Sequence, residues 1–190
     1  MNSHTLFFVS SNSQKLADIL EQAGSIVGID IEHIDWSSPE WLMRDLQKLT
    51  ESKAESAFNK FHRPLFVDHT SLEIDALGGL PGPNSSFFWD ALGDDICRIV
   101  GAIGPPHAKM TVCLAYTEGR RIYSVSHTAN GRIADQPSGD RSFSWDRIFI
   151  PEGGSKTFGQ MTVAEKNEFS PRSKAFSEMI QNIRGLLDER

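Results

Sequence analysis

Cysteine is scarce: Cys97 and Cys113 are the only two among 190 residues, and they form no CxxC pair. That argues against a structural zinc site or a disulfide framework and for a reducing compartment. Long hydrophobic runs are missing, and no stretch reaches membrane-spanning length. The opening apolar stretch, residues 6–9, is too short for a signal peptide core and has no Lys or Arg before it. The expectation is a cytoplasmic protein that meets no membrane. Positive charge is thin as well, with 19 Lys and Arg against 25 Asp and Glu, a net of −6. No basic stripe is available to track a phosphate backbone, which argues against nucleic acid as partner. The G-x-S-x-G elbow, the Walker loop, H-E-x-x-H and the zinc-deaminase cysteine pair are all absent.

What is present is core-forming. Hydrophobic residues make up 39%, including 12 Phe and 4 Trp, which is incompatible with global disorder. The length suits one domain, residues 1–190, with two lobes and a core that needs no cross-links. Residues 6–9 read as a buried strand, broken by Ser10-Ser11-Asn12-Ser13. Leu16, Ile19, Leu20 and Ala23 then follow at helical spacing, with Gly24 at C′. A second strand is expected over 29–34. A second helix is expected from Thr50, with Ala54, Ala57, Phe58 and Phe61 on its apolar face. A short strand over 65–67 ends at Asp68. The Gly-Gly-Leu-Pro-Gly-Pro run over 78–83 reads as irregular. One helix follows, capped by Ser85 or Ser86 and carrying Phe88, Leu92, Ile96, Ile99 and Val100. Strands over 110–116 and 122–128 form a hairpin through Glu118-Gly119. A final helix runs from Ser170 to about 187, with Phe176, Ile180, Ile183 and Leu187 inward. Helices between early strands and a later hairpin give an α/β class with a mixed sheet.

Three stretches carry candidate chemistry. In Ser10-Ser11-Asn12-Ser13-Gln14-Lys15, small residues at a strand-to-helix turn let backbone amides approach a phosphate, and Lys15 adds a full charge. An ordinary capped helix with a solvated lysine explains the same residues. In Asp68-His69-Thr70-Ser71-Leu72-Glu73-Ile74-Asp75, a carboxylate at a strand end suits Mg²⁺ bridging phosphate oxygens, and Glu40 is a second oxygen ligand. Each acid reads equally as a cap or a solvated group. Between 142 and 172, Phe143 and Trp145 offer a purine a stacking face. Asp146 can accept from ring N–H groups, and Lys166 and Arg172 reach phosphate or a base carbonyl. Here too the aromatics suit a core, and Ser170-Pro171 suits a helix start.

In order, these blocks resemble the inosine triphosphate pyrophosphatase family. Residues 8–16 resemble its T-x-N-x-x-K loop, with Ser10 for Thr. Residues 68–83 resemble its [DE]-D-[ST]-x-L…A-L-G-G-x-P-G segment. Residues 143–146 resemble its F-G-[YW]-D element, and 165–172 its E-K-N-x-x-S-H-R element. The resemblance implies an α/β fold with an elongated mixed β-sheet flanked by helices, two lobes and a central cleft. It implies Mg²⁺-dependent hydrolysis of a deaminated or modified purine nucleoside triphosphate to monophosphate and pyrophosphate, with Mn²⁺ as a substitute metal, by a homodimer. Carried over by position, Ser10, Asn12, Lys15 and Lys166 hold phosphates. Asp68 and Glu40 serve the metal, and Phe143, Trp145, Asp146 and Arg172 hold the base. Asp68, His69 and Lys15 carry catalysis. The chain departs from the pattern at His69, where the family has its catalytic Asp, and at Pro171, where it has His. Ser144, Arg147 and Gln160 also differ. The departures leave two further readings open: a nucleotide binder that no longer hydrolyses, and a member specialised for a modified nucleotide in a biosynthetic or defence pathway.

Overall fold

β1 (His4–Val9) runs into α1 (Ser13–Ala23) through a turn that Asn12 shapes. Its carboxamide oxygen accepts from the amides of Gln14 and Lys15 at 3.0 and 3.1 Å, which satisfies two donors that a helix start leaves open. This computed structural model describes residues 4–24, 28–140 and 145–188. Gly24 closes α1 in the right-handed region, at φ −58°, rather than as a left-handed C′ residue. β2 (Ile29–Ile34) pairs parallel with β1.

α2 (Leu46–Phe61) starts a turn earlier than Thr50. Asp45 is its cap, accepting from the Lys48 amide at 3.0 Å. Thr50 lies inside and donates to the Leu46 carbonyl at 2.7 Å. A threonine hydroxyl satisfies backbone in either place. Burial of Leu49 decides for the longer helix. β3 (Leu65–Ile74) also exceeds expectation. The expected strand stops at Asp68, before the polar residues 69–71, yet β5 (His107–Thr117) pairs antiparallel with all ten residues. Asp68 is therefore the fourth residue of a long strand rather than its end. Within the run expected to be irregular, β4 (Leu80–Gly82) pairs with Leu72 to Ile74.

The single helix expected after Ser85 is two, α3 (Ser85–Leu92) and α4 (Asp95–Ile103). Gly93, at φ 52°, ends the first, a backbone conformation that side chains resist. Asn84, not a serine, occupies the cap position, and the Ser85 hydroxyl instead donates to the Thr70 carbonyl at 2.9 Å. β6 (Ile122–Ile133) completes the expected hairpin with β5 and then pairs with β7 (Phe149–Pro151). α5 (Val163–Phe169) precedes α6 (Pro171–Asp188), which starts at Pro171 with the Ser170 hydroxyl accepting from the Ser173 amide at 3.4 Å. Phe176, Ile180 and Ile183 are buried as expected; the side chain of Leu187 lies outside the described set.

The product is an open, mixed, seven-stranded sheet flanked by helices. Its order is β2-β1-β3-β5-β6-β7, with β4 added to β3. α1 and α6 cover one face of its first half through Phe8, Ile19, Phe66, Phe176 and Ile180. α2 covers the opposite face through Ala54, Ala57, Leu65 and Val67. The far half of the sheet has its own cluster, in which Leu72, Ile74, Met110, Ile133 and Phe149 meet α4. β3 thus passes from one apolar region into another. β1 leaves its edge after Phe66 and β4 joins at Leu72, so the edge of residues 67–71 has no strand beside it among the described residues. That gap positions the site.

Candidate active site

The gap opens into a cavity of about 290 Å³ lined by Ser10, Asn12, Lys15, Glu40, Lys53, Asp68, His69 and Trp145, with Ser37, Ser38, Ser85 and Ser86 among the remaining wall. It lies at the C-terminal end of β1. There the chain goes first to β2 on one side and then to β3 on the other, the switch point at which open α/β sheets hold ligands. The volume is near the lower end of small-molecule sites, about 300–1,000 Å³.

Alternation along β3 sends neighbouring residues to opposite faces. Asp68 and Thr70 point toward α1 and α6. Asp68 Oδ1 accepts from Lys15 Nζ at 2.9 Å, and Oδ2 accepts from Arg172 Nε at 3.0 Å. Burial, the largest influence, raises the Asp68 carboxyl, but Lys15 and Arg172 together outweigh it and hold it well below the usual carboxylate range. Arg172 is 4% exposed. Its other nitrogens donate to Asp18 Oδ2 at 2.6 Å and Thr70 Oγ1 at 3.3 Å. Burial works against its charge, and Asp68 and Asp18 more than restore it. Lys166 Nζ donates to Asp146 at 2.7 Å and reaches Asp18 at 3.3 Å. Asp146 is pushed up by burial, with Lys166 pulling it back. Arg172→Lys, which cannot bridge two carboxylates with a planar fork, is expected to cost about 1.5–3 kcal/mol because Asp18 or Asp68 loses one of its two cations, Lys166 or Lys15 remaining. Urea unfolding measures this.

His69 points to the α2 face. Its Nε2 lies 2.7 Å from the Pro83 carbonyl and its Nδ1 3.2 Å from Lys53 Nζ. Burial, then Lys53 and Lys15, lowers its pKa to about 4, so the ring is neutral at ordinary pH. Lys53 Nζ also donates to Glu40 Oε1 at 2.6 Å. Burial raises the Glu40 carboxyl, but Lys53 outweighs it, so the net shift is down.

The sequence-derived candidates therefore fall into two joined groups. Ser10, Asn12, Lys15, Glu40, Asp68, His69 and Trp145 line one cavity. Asp146, Lys166 and Arg172 adjoin it rather than lining it: Arg172 pairs with Asp68 in the wall, Asp18 joins Arg172 to Lys166, and Lys166 holds Asp146. Trp145 is 3% exposed and meets Trp89 edge-on at 5.0 Å. Phe143 lies outside the described residues. Ser10 and Asn12 are partly engaged in the turn itself, since the Ser10 hydroxyl accepts from the Asn12 amide at 3.1 Å.

Sequence reading missed Lys53 and Asp18. A signal for Lys53 existed: it stands four residues after Leu49 and four before Ala57, on the buried stripe of α2. Asp18 lies one turn beyond Lys15 with no such mark.

An open mixed sheet with a polar crevice of paired Lys and carboxylate groups at its switch point defines an α/β ligand-site architecture. The chain belongs to the Ham1 family, whose model matches residues 6–182. It is 33% identical over 187 residues to a dITP/XTP pyrophosphatase of Hyperthermus butylicus, covering 97% of each chain. It is 30% identical over 177 residues to inosine triphosphate pyrophosphatase 1 of Trypanosoma cruzi, covering 92% of this chain and 89% of the other. The fold is shared with the HAM1 protein of Coxiella burnetii, at TM-score 0.79 and 22% identity over 96% of this chain and 99% of that one. Among the described residues no helix is long and apolar enough to cross a membrane.

Proposed function

We propose that this chain hydrolyses a deaminated or modified purine nucleoside triphosphate to the monophosphate and pyrophosphate. The observation that carries the reading is the crevice beside residues 67–71 of β3, where Lys15 and Lys53 stand opposite Asp68 and Glu40. Pyrophosphate leaves with concentrated negative charge, and fixed cations in a partly dry site stabilise it more than water does. Lys15 and Lys53 fill that role, and the first turn of α1 adds its amides. Trp145 and Asp146, with Phe143, are the candidates for the base, and Lys166 supports Asp146.

Mg²⁺ fits the donors in a particular way. Asp68 has both oxygens paired, Glu40 has one oxygen toward Lys53, and the described residues contain no cluster of three His, Cys, Asp or Glu that could hold a metal. Mg²⁺ is commonly held by one or two carboxylates together with substrate phosphates, so Glu40 and Asp68 would hold it with the triphosphate rather than before it. When bound it supplies charge neutralisation on the phosphates. Homodimer assembly belongs to the same proposal and is checked by light scattering.

A second reading, a nucleotide binder without turnover, is favoured by one observation: position 69 offers a neutral imidazole instead of a carboxylate. A panel of nucleoside triphosphates with Mg²⁺ or Mn²⁺, read as monophosphate and pyrophosphate, separates the two. The expected result is release of both products from inosine or xanthosine triphosphate in preference to adenosine triphosphate. Binding with no release on any member would select the second reading.

A further inference from the structure

Both ring nitrogens of His69 are engaged. The Pro83 carbonyl, 2.7 Å from Nε2, can only accept, so Nε2 carries the proton and donates. Nδ1 is then unprotonated, and its lone pair faces an ammonium that can only donate, Lys53 Nζ at 3.2 Å. The His69 side chain is 6% exposed. A lone pair that already accepts from an ammonium cannot take a proton from water. We infer that His69 is a positioning residue, which holds the Lys53 ammonium in the crevice and leaves the attacking water to other groups. This rests on the reading of the crevice as a triphosphate site.

The geometry has a clear division of labour. Lys53 leaves α2 on a flexible four-carbon stem and would otherwise sample many rotamers. Glu40 holds the ammonium from the open side at 2.6 Å, with 41% of its side chain exposed. His69 holds it from the buried side, and Pro83 fixes the rotation of the ring. A neutral acceptor orients the cation without cancelling its charge, as a second carboxylate would. The crevice therefore keeps more positive charge for phosphate oxygens.

The test compares His69→Asn, His69→Leu and His69→Gln. Asparagine puts an amide oxygen about where Nδ1 stands, with no basic nitrogen. Glutamine reaches toward Pro83 instead, and leucine keeps only the bulk. Binding of the α,β-methylene analogue of inosine triphosphate is measured by calorimetry, and kcat and KM are measured separately. Leucine and glutamine are expected to weaken analogue binding and raise KM about tenfold, and asparagine to return both to within about threefold of the unaltered protein. Unchanged binding with an equal fall in kcat for all three variants would make His69 a base and overturn the inference. A leucine variant that matches the unaltered protein would make it packing alone, with the same consequence.

On a Lys53→Met background, His69→Leu is expected to add no further loss. A further loss of about tenfold would show that His69 acts independently of Lys53, against the inference. Unaltered protein that binds the analogue but releases no pyrophosphate would end the hydrolysis reading and leave the binding comparison decisive. Unaltered protein that does not bind it would end both.

Discussion

Asp68→Asn is expected to lose at least about a hundredfold in kcat/KM and about 3–5 kcal/mol of stability, since breaking a buried ion pair strands the surviving charge. Here two cations lose a partner at once: Lys15 and Arg172 each lean on one oxygen of a carboxylate whose side chain is 1% exposed, and Arg172 alone keeps a second carboxylate, Asp18. An amide can still accept on one side, but it brings an N–H donor against a cation on the other. Urea unfolding gives the stability loss, and pyrophosphate release gives the turnover loss. The pH dependence has a definite sign. The folded carboxyl is held below its ordinary value of 3.8, so its stabilisation is full above that pH and fades as pH falls through the lower folded value. The gap between the unaltered protein and Asp68→Asn should therefore narrow below about pH 4 and stay constant from pH 6 to 8. A gap that is constant through the acid range would mean that the carboxylate is not what the two cations need.

Lys53→Met should move stability the other way while also damaging function. Methionine is similar in length and suits a helix interior. It also removes the charge of a lysine that is 8% exposed. Replacing a buried charge by an apolar group of similar volume is often neutral or stabilising. Of its two partners, Glu40 is exposed enough to be solvated and His69 is neutral, so neither is left as a buried unpaired ion. Stability is expected to hold or rise, while kcat/KM for inosine triphosphate falls about a hundredfold, near 2.7 kcal/mol of transition-state stabilisation. Retained turnover would remove Lys53 from the phosphate site. The contrast with Asp68→Asn matters, because a variant that keeps its fold and loses activity isolates chemistry from folding.

Much of this arrangement is legible from local pattern. The unit of β1, turn and α1 follows from a short apolar run, four small polar residues and a helical repeat. The start of α6 follows from Ser170 and Pro171. The cavity unites residues from three separated sequence blocks, as their common family pattern implies. What was not legible depends on partners distant in sequence. The polar middle of β3 marks the end of the expected strand until β5 supplies pairing along its whole length. The break at Gly93 interrupts a hydrophobic repeat that otherwise continues. Arg172 reads as a ligand-facing side chain, whereas its burial among Asp18, Asp68 and Thr70 makes it the tie between α6, β3 and α1. Lys53 stayed hidden because a lysine on an apolar stripe looks like a solvated stem.

The bare edge of β3 has a wider consequence. A strand gripped by apolar packing at 65–67 and again at 72–74 behaves like a beam clamped at both ends. Its span need not contribute apolar packing of its own, so a position there outside the ion-paired network of Asp68 and Arg172, such as 69, can exchange one chemistry for another without endangering the architecture. An imidazole at position 69, set into a frame whose relatives are named as pyrophosphatases, is the kind of change such a span tolerates. Diversification of substrate within this fold is then expected to concentrate on position 69 and on the side chains facing it, while the clamps and the Asp68 network stay constant.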